Sequence, residues 1–431
     1  MFSSSSADNS SARGQVILLA PAGGFDSLEA ALRSGADAVY FGVGELNMRA
    51  GAAGNFTEED LPEIVSRCHA HGAKAFLALN TVLYDSELPE ARRLAMAAKK
   101  AGVDACIAGD MAAILMLREL NMPVHLTVQC NISNLEALRF YAAFADVAVL
   151  ARELPLESIR NIAEGIRREN IRGPGGELLK IELFVHGALC VALSGRCYMS
   201  LSVYNSSANR GRCFQNCRRR YLVRDAETGT ELEIDNQYVM SPKDLCTVAF
   251  LDRLLEAGAS VLKIEGRGRS ADYVAATVSV YREALDSWLE GRFARERIPE
   301  WEKRLKEVFN RGFWEGGYYL GKKLGEWSAS DGNRATLRKS YAGRISNYFS
   351  RLGVAEMLVE AAALHPGDRL LITGPTTGAM NLTVSELRLE RDPVSEAPPG
   401  RPASFPVPGK VRSGDKVYLL TPAETEVEEN P

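Results

Sequence analysis

A chain of 431 residues, 46% hydrophobic and 25% charged, is too long for one ordinary domain and too apolar for a disordered polymer. Lys and Arg number 51 against 55 Asp and Glu, and the formal net charge of −4 gives no global attraction for nucleic acid, only room for a local basic patch. No apolar run reaches the length of a membrane span, and the polar start lacks the apolar stretch of a signal peptide, so a cytoplasmic enzyme behind a disordered tail over 1–14 is expected.

Short apolar or β-branched runs then alternate with amphipathic stretches. The predicted strands are Val16 to Ala20, Ala38 to Gly42, Ala73 to Leu79, Ala105 to Ala108, Val124 to Val128, Val147 to Leu150, Ile181 to Val185 and Ser260 to Ile264. Helical stretches such as Ser27 to Ser34 and Glu58 to His69 lie between them, and Gly35, Gly72, Gly102 and Gly258 stand where left-handed C-caps are expected. Eight such units predict an α/β fold, a (β/α)8 TIM-like barrel over 15–300. A doubly wound sheet shares the alternation, but no GxGxxG opens the first helix. The gap between strands seven and eight, 186–245, is far longer than a usual βα loop and marks a Cys-rich insertion. A Gly/aromatic connector over 301–339 leads to turn-punctuated β runs at Ala355 to Val359, Arg369 to Ile372, Leu382 to Leu387 and Lys416 to Leu420. These predict a small C-terminal all-β barrel domain over 340–422, followed by an acidic tail over 423–431.

Chemistry concentrates in two places. Cys190-x6-Cys197-x15-Cys213-x3-Cys217 puts four soft thiols into the insertion, and spacing alone leaves zinc and an iron–sulfur cluster equally open, with uncoordinated buried cysteines as the third reading. Cys68, Cys106, Cys130 and Cys246 fall in or beside predicted elements and read as small core residues. From His186 to Arg224 there are seven arginines and no Asp or Glu. That patch reads either as phosphate contact with RNA, with Tyr198, Tyr204, Phe214 and Tyr221 for stacking, or as charge balance for an anionic metal centre. The second place is the C-terminal ends of the strands, where barrel enzymes carry their sites: Asn47, Arg49, Asn80, Gln129, Asn131, Arg152, Glu153, His186, Lys263, Glu265 and Arg267. No GxxxxGK[ST], HExxH or GxSxG occurs, which removes the sequence support for a P-loop nucleotide hydrolase, a zincin or a serine hydrolase.

Glu182-x-Phe184-x2-Gly187-Ala-Leu-Cys190-x4-Gly195-x-Cys197-x-Met-Ser200 resembles the signature of the collagenase-like peptidase U-32 family. Leu19-Ala-Pro-Ala-Gly23, Gly35-Ala-Asp-Ala-Val-Tyr40, Leu150-Ala-Arg-Glu153, Ser207-Ala-Asn-Arg-Gly211 and Leu262-Lys-Ile-Glu-Gly-Arg267 extend the likeness along nearly the whole chain. The resemblance implies a 4Fe-4S cluster on Cys190, Cys197, Cys213 and Cys217, the fourth ligand following the spacing of the family's RNA branch and so not Cys246. It further implies hydroxylation of carbon 5 of wobble uridine 34, with the tRNA anticodon loop as partner and prephenate as oxygen donor. Arg152, Lys263 and Arg267 would then meet the prephenate carboxylates, with His186 and Glu265 nearest for proton transfer. Arg196, Arg210, Arg212, Arg218, Arg219 and Arg220 would hold RNA phosphates. Peptide hydrolysis, as in the family's name, and hydroxylation of another RNA such as 23S rRNA are the alternatives.

Overall fold

Alternation along the eight runs sorts most of their side chains to the two sides of one sheet. The computed structural model describes residues 16–51, 55–192, 196–232, 240–319, 328 and 332–423; the tail expected over 1–14, all but the first residue of the acidic tail, and much of 320–331 lie outside these. Strands β1 (Ile17–Pro21), β2 (Ala38–Gly42), β3 (Lys74–Leu79), β4 (Ala105–Ala108), β5 (Val124–Leu126), β6 (Val147–Val149) and β7 (Lys180–Gly187) pair in order and in parallel. Strand β8 (Ala259–Ile264) pairs in parallel with both β1 and β7 and closes the barrel. Helices α1 (Phe25–Arg33), α2 (Leu61–Ala70), α3 (Leu88–Ala101), α4 (Met111–Glu119), α5 (Leu135–Ala142) and α6 (Leu156–Arg168) alternate with the strands outside it. Gly35, Gly72, Gly102 and Gly258 all take positive φ, the left-handed turn that ends a helix without a Cβ penalty.

Inward residues Leu19, Ala38, Tyr40, Phe76, Ala105, Ile107, Val147 and Val261 fill the barrel. Outward residues such as Leu18, Val39, Leu77 and Leu262 join the helices in a larger core, each such side chain worth about 1.5–3 kcal/mol when fully buried.

The insertion after β7 contains the short helix α7 (Met199–Tyr204), several single turns and a hairpin pairing Val223–Arg224 with Glu231–Leu232. It is tied to the barrel loops: Val82 N donates to Asn209 O at 3.3 Å and Gly51 N to Gly211 O at 3.1 Å. A strand absent from the sequence reading, Asp244–Cys246, returns antiparallel against the end of β7 and pairs on its other side with Phe313–Trp314. Helix α8 (Leu251–Glu256) precedes β8, and α9 (Ala271–Leu289) and α10 (Ile298–Glu307) follow it. Trp301 and Tyr318 lie in the barrel core, so the described part of the expected connector packs on the barrel.

The C-terminal region is one antiparallel sheet with its own apolar core. Its main strands are β9 (Leu337–Phe349), β10 (Val354–Val359), β11 (Arg369–Gly374), β12 (Gly378–Thr383), β13 (Pro402–Pro406) and β14 (Lys416–Pro422). The run expected at Leu382 to Leu387 is therefore moved back, to β12, and β9 and β13 are additions. Register shifts near Tyr341 and Ile345 interrupt the ladders of β9, and bulges of that kind bend a strand enough to curl one sheet around one core.

Candidate active site

The loops at the C-terminal ends of the strands and the inner wall of the insertion enclose a cavity of about 560 Å³. Cys190, Cys197, Cys213 and Cys217 line it, together with Asn80, Gln129, Arg49, Arg152, Glu153, Lys263, Glu265 and Arg267. The two chemical regions separated in the sequence thus share one space.

The floor is charged. Lys263 projects inward from β8 and Glu182 from β7, and Lys263 Nζ meets Glu182 Oε1 at 2.7 Å with both side chains buried. His125 Nδ1 stands 3.8 Å from Glu182 Oε2, and neither atom has a hydrogen-bond partner. Burial alone would raise the Glu182 carboxyl, but Lys263 and His125 outweigh it and hold it below the usual carboxylate range. The Lys263 ammonium also lies 4.6 Å from the centre of the Tyr40 ring.

Above this pair the wall is a cation-rich network. Glu265 accepts from Arg49 at 3.0 Å and from the Tyr40 hydroxyl at 3.2 Å. Burial pushes its carboxyl up, yet Arg49, Arg152 and Arg267 bring it down to about 2. Glu265 is thus the anion at the centre of three guanidinium groups and the Tyr40 hydroxyl. Arg267 donates to Asn47 Oδ1 at 2.9 Å, and Arg152 lies 3.7 Å over the Phe184 ring and donates to Ala188 O. Asn80 and Gln129 hydrogen-bond to each other across the wall at 3.0 and 3.4 Å.

His186 is placed elsewhere. Simple alternation would set it inward with Glu182 and Phe184, but the β7–β8 register slips between Lys263/Phe184 and Ile264/His186. A one-residue slip turns a side chain to the opposite face. His186 consequently faces outward among Tyr273, Tyr281 and Phe313, buried and outside the cavity lining, and burial lowers it to about 3.

The thiols share a wall without closing on a point. Among the described residues no three of His, Cys, Asp or Glu stand together so as to hold a single ion. Burial raises the Cys217 thiol; Arg218 opposes this, and the nearby Cys190, Cys213 and Cys197 add to it. Met199 N donates to Cys197 Sγ at 3.4 Å. Of the remaining cysteines, Cys68, Cys106 and Cys246 are buried and pushed up to about 12, and half-buried Cys130 to about 11.

The arginine patch divides. Arg210 pairs with Glu87 at 2.5 Å and lies 3.7 Å over the Tyr84 ring, fastening the insertion to the loop after β3. Arg218 turns inward and donates to Ser241 Oγ, Pro242 O and Leu189 O. These two are structural ties, and the acids that the insertion lacks come from distant parts of the chain. Arg212 faces Glu45 at 3.6 Å with both side chains largely exposed. Arg196, Arg219 and Arg220 remain on the surface. Glu182 and His125 lie outside the cavity lining, behind Lys263, and were not singled out from the sequence, although an acid inside the apolar run Ile181 to Val185 was a visible anomaly.

The profile described as peptidase family U32 matches residues 23–329, most of the chain. The chain belongs to peptidase family U32. It is 51% identical over 407 residues to a protein of Porphyromonas gingivalis named collagenase, covering 94% of this chain and 98% of that one. It is 36% identical over 329 residues to the 23S rRNA 5-hydroxycytidine C2501 synthase of Escherichia coli, covering 73% of this chain and 46% of that one. A third relative, tRNA hydroxylation protein P1 of Bacillus subtilis, is 35% identical over 310 residues, covering 69% of this chain and 71% of that one. The U32 assignment accords with the motif from Glu182 to Ser200, whose cysteines stand on the cavity wall.

Proposed function

We propose that this U32 protein hydroxylates RNA at carbon 5 of a pyrimidine, the wobble uridine of tRNA in the first instance, with prephenate as oxygen donor. One observation carries the reading: four cysteines and a cation-rich barrel mouth line the same cavity. The relatives named for tRNA and rRNA hydroxylation support it. A cytoplasmic setting follows from an RNA substrate, and no helix among the described residues is long and apolar enough to cross a membrane.

All four thiols line one cavity and thiolates are the usual ligands of iron–sulfur clusters, so Cys190, Cys197, Cys213 and Cys217 would be the residues to hold a 4Fe-4S cluster. Arg218, Arg152 and Arg49 each feel one or more of these thiols and offset the negative charge that four thiolates would bring. Such a cluster supplies one-electron chemistry. The rest of the work falls to the chain itself. Arg152, Arg267 and Lys263 present positive charge to the carboxylates of prephenate. Asn80 and Gln129, bonded to each other, would each have one amide N–H left for a pyrimidine carbonyl, and Glu265 holds Arg49 in place.

The name of the 51%-identical relative favours peptide hydrolysis as a second reading. The cavity gives it little: among the described residues no histidine lines the wall to activate a thiol or hydroxyl. A two-armed assay decides between them, using protein purified without air and analysed for iron and acid-labile sulfide. The proposal expects about four irons per chain, 5-hydroxypyrimidine in RNA incubated with prephenate, and no peptide release from gelatin. Stoichiometric zinc with gelatin cleavage would replace it with the peptidase.

A further inference from the structure

The insertion turns two faces in opposite directions. Its inner face supplies cavity wall through Cys197, Met199, Ser200, Cys213, Gln215 and Arg218. Their chain neighbours point outward: Tyr198 is 72% exposed, Phe214 54%, and Arg219 is exposed. The backbone is held in this alternation by a bond from Phe214 N to Ser200 Oγ at 3.0 Å. Gln215 adopts a positive φ of 53°, a left-handed turn that is unfavourable for a non-glycine residue.

On the outer face the Tyr204 and Phe214 rings lie 4.9 Å apart, and the Arg219 guanidinium stands 5.5 Å from the Tyr204 ring. Exposed rings grouped together mark an interaction surface more often than rings scattered singly. Arg220, the next residue, is exposed, and among the described residues neither Arg219 nor Arg220 has a carboxylate partner. No Asp or Glu occurs between His186 and Arg224. Flat rings with adjacent guanidinium groups and no local acid suit a polyanion that also carries exposed flat rings, which is unpaired nucleic acid.

We infer that Tyr204, Phe214 and Arg219 form a stacking platform for an unpaired RNA base next to the one admitted to the cavity, with Arg219 and Arg220 taking flanking phosphates. The inference rests on the RNA reading above and adds the surface that presents the substrate. Because cavity wall and platform are successive residues of one chain, a loop whose neighbouring bases are splayed apart reaches both at once. A paired duplex reaches neither.

The test is fluorescence anisotropy of a short labelled RNA hairpin with an open loop, titrated with the anaerobically purified full chain. Wild type should prefer the hairpin to a blunt duplex of the same composition. The double variant Tyr204→Leu/Phe214→Leu should bind the hairpin at least about fivefold more weakly with an unchanged salt slope, as expected for lost stacking. Phe214→Trp should restore it, which a general folding defect would not allow. Arg219→Gln should lower the slope of log affinity against log salt by about one. Hairpin binding by wild type with equal binding by the double variant would overturn the platform and leave RNA as substrate. Equal wild-type affinity for hairpin and duplex would overturn it too, as would displacement of the hairpin by polyglutamate at matched charge, which would mark a face for acidic protein. No binding of hairpin or tRNA by wild type would remove the RNA reading and the platform together.

Discussion

Lys263 and Glu182 exchange a 2.7 Å ion pair inside the barrel, where either charge alone would be stranded. Removing one partner of such a pair costs about 3–5 kcal/mol, because the other remains buried and unpaired. Lys263→Met should therefore lower unfolding free energy by about that much in urea titration, and Glu182→Gln/Lys263→Met should cost much less than the sum of the single changes. Additive losses would show that the pair is not coupled. His186 makes a separate prediction through pH. Its folded value near 3 lies below an unfolded value of about 6.5, so the unfolded chain takes up a proton first. The stability it contributes is complete above about pH 6.5 and declines as the pH falls toward 3. His186→Leu should flatten that part of the urea midpoint against pH; identical acid profiles would show that His186 is already solvated.

At the level of elements, the barrel strands were legible because their apolar runs are short and alternate with helical stretches that end in glycines such as Gly35 and Gly102. The orientation of His186 was not, since a β-bulge leaves no mark in the alternation it breaks. Strand β9 was missed for a related reason: Arg338, Lys339, Ser340, Arg344, Ser346 and Asn347 make it polar, and its register shifts destroy a period of two. That Cys190, Cys197, Cys213 and Cys217 share one wall agrees with their clustering in the sequence, whereas the fate of Arg210 and Arg218 depended on Glu87 and on carbonyls far away in sequence. Two element-scale outcomes follow. A Cβ at Gly343 would fall 2.0 Å from Leu358 O, so Gly343→Val should break the β9–β10 pairing and make the C-terminal sheet protease-sensitive well below the barrel's melting temperature. Unchanged proteolysis would mean that the strand shifts to make room. Arg210→Ala should loosen the insertion and speed alkylation of Cys213 in metal-free protein; an unchanged alkylation rate would mean that the backbone bonds to Val82 and Gly51 suffice.

Across the whole molecule, the barrel provides a cavity at its mouth, and the insertion lays four thiols against it and turns rings and guanidinium groups outward. The sheet is fastened to the flank of the barrel: β12 packs on α1, and Lys339 pairs with Asp272 at 2.7 Å. Gly378 approaches Ala30 so closely that a Cβ would come within 2.9 Å of its backbone nitrogen. Nucleoside mass spectrometry of separated tRNA and rRNA, from a host lacking the gene and any related hydroxylase and from the same host complemented, tests RNA hydroxylation most directly. The account predicts that 5-hydroxypyrimidine nucleosides disappear from one RNA fraction, return with the wild-type gene, and do not return with Cys217→Ser. Unchanged nucleosides in both fractions would contradict it.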